Sequence, residues 1–160
     1  MEVGNSTSAE NLWLVGFRVG DHECALPLRT VDRVVPMVDI LPVPPVAPVV
    51  IGLINVHGRP VPVFDLLRSL RRGTVVYGPS AFLLIGHTMR RPFAVAANAV
   101  DGAVRVSEAR VASMVELVPG AGMLPAVLSG DRGLVFIHDP ETLLTLEQEL
   151  ELDSTLQAGA

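Results

Sequence analysis

Residues 52–66 read GLINVHGRPVPVFDL. Apolar residues alternate on either side of His57 and Gly58, which predicts two strands, over 49–57 and 59–66, meeting near Gly58. Between them stands one histidine, in a stretch that carries no obvious catalytic group. Whether His57 is a reacting group, a metal ligand or a contact residue decides what kind of protein this is.

The surrounding chain has the same texture. Of 160 residues, 49% are hydrophobic and 18% charged, enough to bury a sizeable core in one domain or in two small lobes that share one. The apolar residues are mainly Val, Leu and Ala, and 13 prolines and 14 glycines punctuate them, a composition for many short strands. Net charge is −5 with no basic block, so a phosphate backbone is not the expected partner. Cys24 is the sole cysteine, which excludes an intrachain disulfide and fits a reducing compartment. The opening MEVGNSTSAE is polar and acidic, unlike a signal peptide, and reads as a disordered leader over 1–10. No apolar run approaches the ~20 residues that cross a bilayer, so no membrane insertion is expected and the reading is cytoplasmic.

Along the chain, Trp13, Val15, Phe17 and Val19 share one face of a first strand, and Cys24, Leu26 and Leu28 one face of a second. Pro27 places that second strand at a sheet edge. Val31, Val34 and Val35 have helical spacing for a single turn. A proline-stiffened loop follows through 36–48. DLLRSLRRG reads as a short helix; AFLLIGH and PFAVAANAV read as a hairpin joined at TMRR, and AVLSGDRGLVFIHD as another. Pro140 suits a first helical turn of a closing helix, with Leu143, Leu146 and Leu150 as its apolar stripe. About ten short strands with frequent turns imply closed or sandwiched sheets, an all-β fold with short helices.

Chemistry is hard to find. The histidines at 22, 57, 87 and 138 lack metal-ligand spacing. His22 and Cys24 share a strand face, and a small metal or ligand binder built on them is the rival reading; two ligands fall short of a site. Asp65, Asp101, Asp131 and Asp139 sit at strand ends or turns, where aspartate bonds backbone amides. There is no phosphate cradle, and no nucleophile beside a base, so no enzyme is expected and no cofactor or metal.

The opening stretch resembles the signature of the CheW family, G-V-x-N-x-R-G-x-x-x-P-V-x-D-L. FRVGDHECALPLRTVDRVV, FAVAANAVDGAV and LPAVLSGDRGLVFIHDPETLL are similar, in order, to the family's opening strands, its central V-D-x-V-x-G-V segment and its closing hairpin and helix. The resemblance implies two small five-stranded SH3-like β-barrels packed on a shared apolar core, a CheW-like domain over 11–152 and a frayed tail over 153–160. It implies a non-enzymatic adaptor that ties the cytoplasmic hairpin of a methyl-accepting chemoreceptor to the regulatory domain of a CheA-type histidine kinase, in an array that can hold other CheW-like proteins. Carried onto this chain, the binding positions are Val31, Arg33, Gly52, Asn55, His57 and Gly58. Three of the family's charged positions differ. Arg33 replaces a glutamate, His57 an arginine, and Ala97–Asn98 a V-D pair, so one of the two partner contacts is expected to be weakened.

Overall fold

Strands that are apolar on both faces need a core on each side, and this chain builds three. The computed structural model describes residues 11–69, 75–107, 111–113, 126–130 and 133–158. The expected leader and Asp131 fall outside them. Strands β1 (Asn11–Val19), β2 (His22–Pro27), β8 (Ala99–Ser107), β9 (Val111–Ser113), β10 (Ala126–Gly130) and β11 (Gly133–Ile137) form one sheet, in the order β8-β1-β2-β11-β10-β9. Strands β3 (Val31–Pro36), β4 (Val50–Val56), β5 (Arg59–Phe64), β6 (Phe82–His87) and β7 (Pro92–Ala97) form the second, in the order β3-β6-β7-β5-β4. Helices α1 (Leu66–Ser69) and α2 (Leu146–Ala158) complete the fold. This is the two-lobed β architecture expected from the sequence; the three-residue β9, paired with β10, brings the first sheet to six strands.

Alternation along single strands divides the cores. On β7, Phe93, Val95 and Ala97 enter the core shared between the lobes, while Ala94 and Ala96 enter the interior of the second lobe. On β1, Val15, Phe17 and Val19 face the shared core and Leu14 the interior of the first. The second sheet closes through Leu41, which exchanges 2.8 Å backbone hydrogen bonds with Leu53 on β4. Gly52 makes that possible, because a Cβ there would lie 2.5 Å from the Leu41 carbonyl oxygen. Gly86 on β6 lies closer still to the crossing from the first lobe, and its Cβ would meet the Thr30 carbonyl oxygen at 1.8 Å.

Several expectations are corrected. Strand β2 is internal, not an edge: it pairs with β1 and, in parallel, with β11. Pro27 is tolerated because it lies past Ala25, the last β2 residue in the parallel register. The single turn sits at Leu28–Thr30, and Val31, Val34 and Val35 belong to β3, whose pairing to β6 overrides the weak helical spacing. The apolar stripe of α2 is not the expected one. Leu143 packs on the shared core, but Leu146 and Leu150 face solvent, and Leu144, Leu152 and Leu156 do the packing. The helix also runs past the boundary at 152 to Ala158, with Leu156 seated on the core and Asp153 gripped by Arg90 and Arg91.

Those arginines, from the β6–β7 turn, fasten α2. Arg91 lies nearly buried, 2.8 Å from Glu149 and 2.7 Å from Asp153, and also donates to the Glu149 carbonyl. The hydrogen bond from Arg90, with Arg91 beside it, holds the Asp153 carboxyl below its ordinary value. Leu152→Ala is expected to cost about 2–5 kcal/mol in a urea unfolding series, while Leu146→Ala stays within about 0.5 kcal/mol of the parent.

Candidate functional site

At the tip of the β4–β5 hairpin, His57 has φ 51° and Gly58 φ 82°, the doubly left-handed backbone of a two-residue turn whose twist matches its strands. Asn55 secures it, its Oδ1 accepting the Gly58 N–H at 2.7 Å. Histidine is among the few non-glycine residues that adopt this conformation readily, so the backbone accounts for His57 without any chemistry. Nothing lies within 4 Å of a Cβ on Gly58, whereas buried Gly52 is hemmed in by Ile40 and Leu41. Gly52, expected as a binding residue, is also where the barrel closes on Leu41.

The remaining expected positions lie on β3. A register shift between Val31 and Arg33 marks a bulge opposite β6. Asp32 in the bulge receives His87 Nδ1 at 3.1 Å from both carboxylate oxygens, on the surface. Val31 packs on the edge of the shared core and Arg33 is exposed. A groove of about 330 Å³ runs along the hairpin, lined by Asp39, Leu41, Leu53, Asn55, Gly58 and Arg59 among others, and includes neither Val31 nor Arg33. Of the six positions, Asn55 and Gly58 line the hairpin groove, His57 sits at the hairpin tip, Gly52 is packed under Leu41, and Val31 and Arg33 lie at the head of β3.

Sequence reasoning missed the most exposed aromatic. Trp13 continues the core face of β1 but is 52% exposed, with the Arg105 guanidinium 5.9 Å above its ring. The register of β1 with β2 ends at the Leu14–Pro27 pair, so Trp13 lies past the last paired residue; Leu28, in the turn after β2, is also exposed, and Val31 packs on the edge of the shared core. Period two placed Trp13 on the correct face; only the end of the strand decides that it is outside. A second apolar surface lies on the second lobe, where Val34, Val38 and Leu41 are exposed, Leu41 by 66%.

The groups that chemistry would need are sealed or structural. Burial, with Glu23 and Asp65 adding to it, pushes the Cys24 thiol up to about 12, so it stays neutral in the shared core. His22 is beside Phe136, at 6.3 Å between ring centroids. Among the described residues no three His, Cys, Asp or Glu side chains come together as metal ligands. Asp65 and Asp139 bond nearby backbone N–H groups, those of Leu67 and Glu141, at 3.0 Å each. Asn98 accepts from the Gly20 N–H at 2.7 Å and donates to the Val76 carbonyl at 3.4 Å. A carboxylate could make the first bond and not the second, so this departure from the family pattern is a structural bridge.

With this arrangement in view, the CheW-like domain description matches residues 14–148. The chain belongs to the CheW family. Protein FrzA of Myxococcus xanthus is 32% identical over 115 residues, 72% of this chain and 64% of that one, so the match spans less than two thirds of its relative. The scaffolding protein TtCheW of Thermoanaerobacter tengcongensis has the same fold, with TM-score 0.71 at 18% identity over 88% of this chain and 92% of that one. CheW-family proteins are scaffolding adaptors rather than enzymes. None of its described helices is long and apolar enough to cross a membrane.

Two measurements test this geometry. Gly52→Ala is expected to cost about 1–3 kcal/mol from overpacking, and His57→Asn to leave the melting temperature unchanged, since asparagine also accepts the left-handed backbone. The second concerns His138, whose burial pushes its pKa down to about 4 from the ordinary 6.5. In that window the unfolded chain takes up a proton that the folded one refuses. The stability is therefore full above 6.5 and falls as pH drops towards 4, by roughly 3 kcal/mol from this group. Urea midpoints across the window should show the fall, and His138→Gln should flatten it.

Proposed function

We propose that this CheW-family chain couples a chemoreceptor cytoplasmic hairpin to a CheA-type histidine kinase through two separate apolar surfaces. The observation that carries this reading is the exposure of Trp13 and Leu28 on the one hand and of Val34, Val38 and Leu41 on the other. The surface of Trp13, Leu28 and Val31 takes the receptor hairpin, its tryptophan an amphipathic anchor suited to a helical groove. The second-lobe surface of Val34, Val38 and Leu41, continuous with the groove at Asn55 and Gly58, takes the kinase regulatory domain. Arg33 and His57 are the exposed charge changes that set partner choice, with Arg33 weakening the receptor contact by placing a cation where the family carries a carboxylate.

Calorimetric titration against the receptor hairpin and the kinase regulatory domain of the same organism tests each surface. Trp13→Ala is expected to weaken hairpin binding at least about tenfold and leave kinase binding intact, with Leu41→Glu doing the converse. Arg33→Glu should tighten the hairpin. If both surface variants keep both partners the assignment fails, and if Arg33→Glu changes nothing the weakened contact is misplaced.

A further inference from the structure

The helix α2 carries an apolar feature that its packing does not use. Leu146 is 66% exposed and Leu150 54%, four residues apart and hence neighbours on the helix surface. Met89, at the tip of the β6–β7 turn, is 94% exposed. The turn is held against the helix and against the residues just before it. The Met89 N–H donates to Glu141 at 2.8 Å, Arg91 reaches Glu149, and both arginines reach Asp153. Leu146 and Leu150 lie three residues before Glu149 and Asp153, the carboxylates that the arginines engage, and Met89 belongs to the turn that carries those arginines.

We infer that Met89, Leu146 and Leu150 form a third docking surface, and that its occupant is a partner's amphipathic helix whose apolar residues recur at i, i+4 beside lysines or arginines. The spacing of the leucines fits such a helix laid along α2, and methionine adapts to irregular apolar partners. Charge selects the sign. Helix α2 holds Glu147, Glu149, Glu151 and Asp153 and no basic residue. Glu149 and Asp153 are matched by Arg91 and Arg90, while Glu147 and Glu151 lie exposed beside the leucines, and among the described residues no ion pair engages either. A second copy of this helix would bring like charge against like; a basic helix meets both carboxylates. The surface shares no residue with the two surfaces assigned above, and it exists only while α2 is seated.

Nuclear magnetic resonance of the full chain tests this with two synthetic helical peptides, one of leucine at i, i+4 with lysine flanks, the other with glutamate for each lysine. The lysine peptide is expected to shift the methyl signals of Met89, Leu146 and Leu150 and leave the Trp13 indole unmoved; the glutamate peptide should shift neither. Replacing both leucines, L146Q with L150Q, should weaken the lysine peptide about tenfold at an unchanged melting temperature, since both side chains are already in water. Replacing both glutamates, E147Q with E151Q, should weaken it severalfold and flatten its salt dependence. Shifts centred on Trp13 or Leu41, no binding, or equal binding of the glutamate peptide would overturn the proposal. So would a concentration-dependent dimer that Leu150→Gln abolishes, because the occupant would then be a second copy.

Discussion

The fold depends on strands that bury both faces. Among the described residues the shared core holds seventeen buried side chains, against seven inside the second lobe and five inside the first. Neither interior alone offers the apolar burial that a domain of this size requires, so each lobe is stable because the other covers its back. Leu144, just before helix α2, and Leu152 on it supply the remaining cover, and the arginine clamp ties the helix to the second lobe. Phe64 and Phe93, stacked 5.8 Å apart in the shared core, have a large share in it for a chain so poor in aromatics.

How much of this could be read in the sequence varied with the strength of the local pattern. Period two identified most strands and the core face of β1, and the residues around His57 and Gly58 announced a turn. The errors share a cause. Val31–Val35 and the leucines of α2 were read by helical spacing alone, and spacing does not say which of two apolar sets finds a partner. Leu152 and Leu156 are chosen over Leu146 and Leu150 because Arg90 and Arg91 fix the helix's rotation, and those arginines are more than fifty residues away in sequence. Trp13 shares the face of Val15, Phe17 and Val19, and its exposure follows from its place at the end of the strand, which period two does not report. Nor does a family pattern report that Gly52 admits a carbonyl or that the Asn98 amide bridges two segments.

What is left on the surface after such assignments is a small set of features: a tryptophan under an arginine, an apolar strip on the second lobe, a bulge holding Asp32 and Arg33. These carry little of the stability. Their side chains are free to change without loss of fold, which is how a scaffold family keeps one architecture while charge at Arg33 and His57 varies. The charge changes that matter for recognition are those the core does not need.

Gly86 allows one consequence to be drawn about mechanics. The carbonyl of Thr30, where the chain leaves the first lobe, lies so close to β6 that even a methyl group would not fit between them. A crossing packed flush on a strand has no slack to act as a hinge. Bending between the lobes at this point would have to part the Thr30 carbonyl from β6, so the crossing works as a weld and not as a joint.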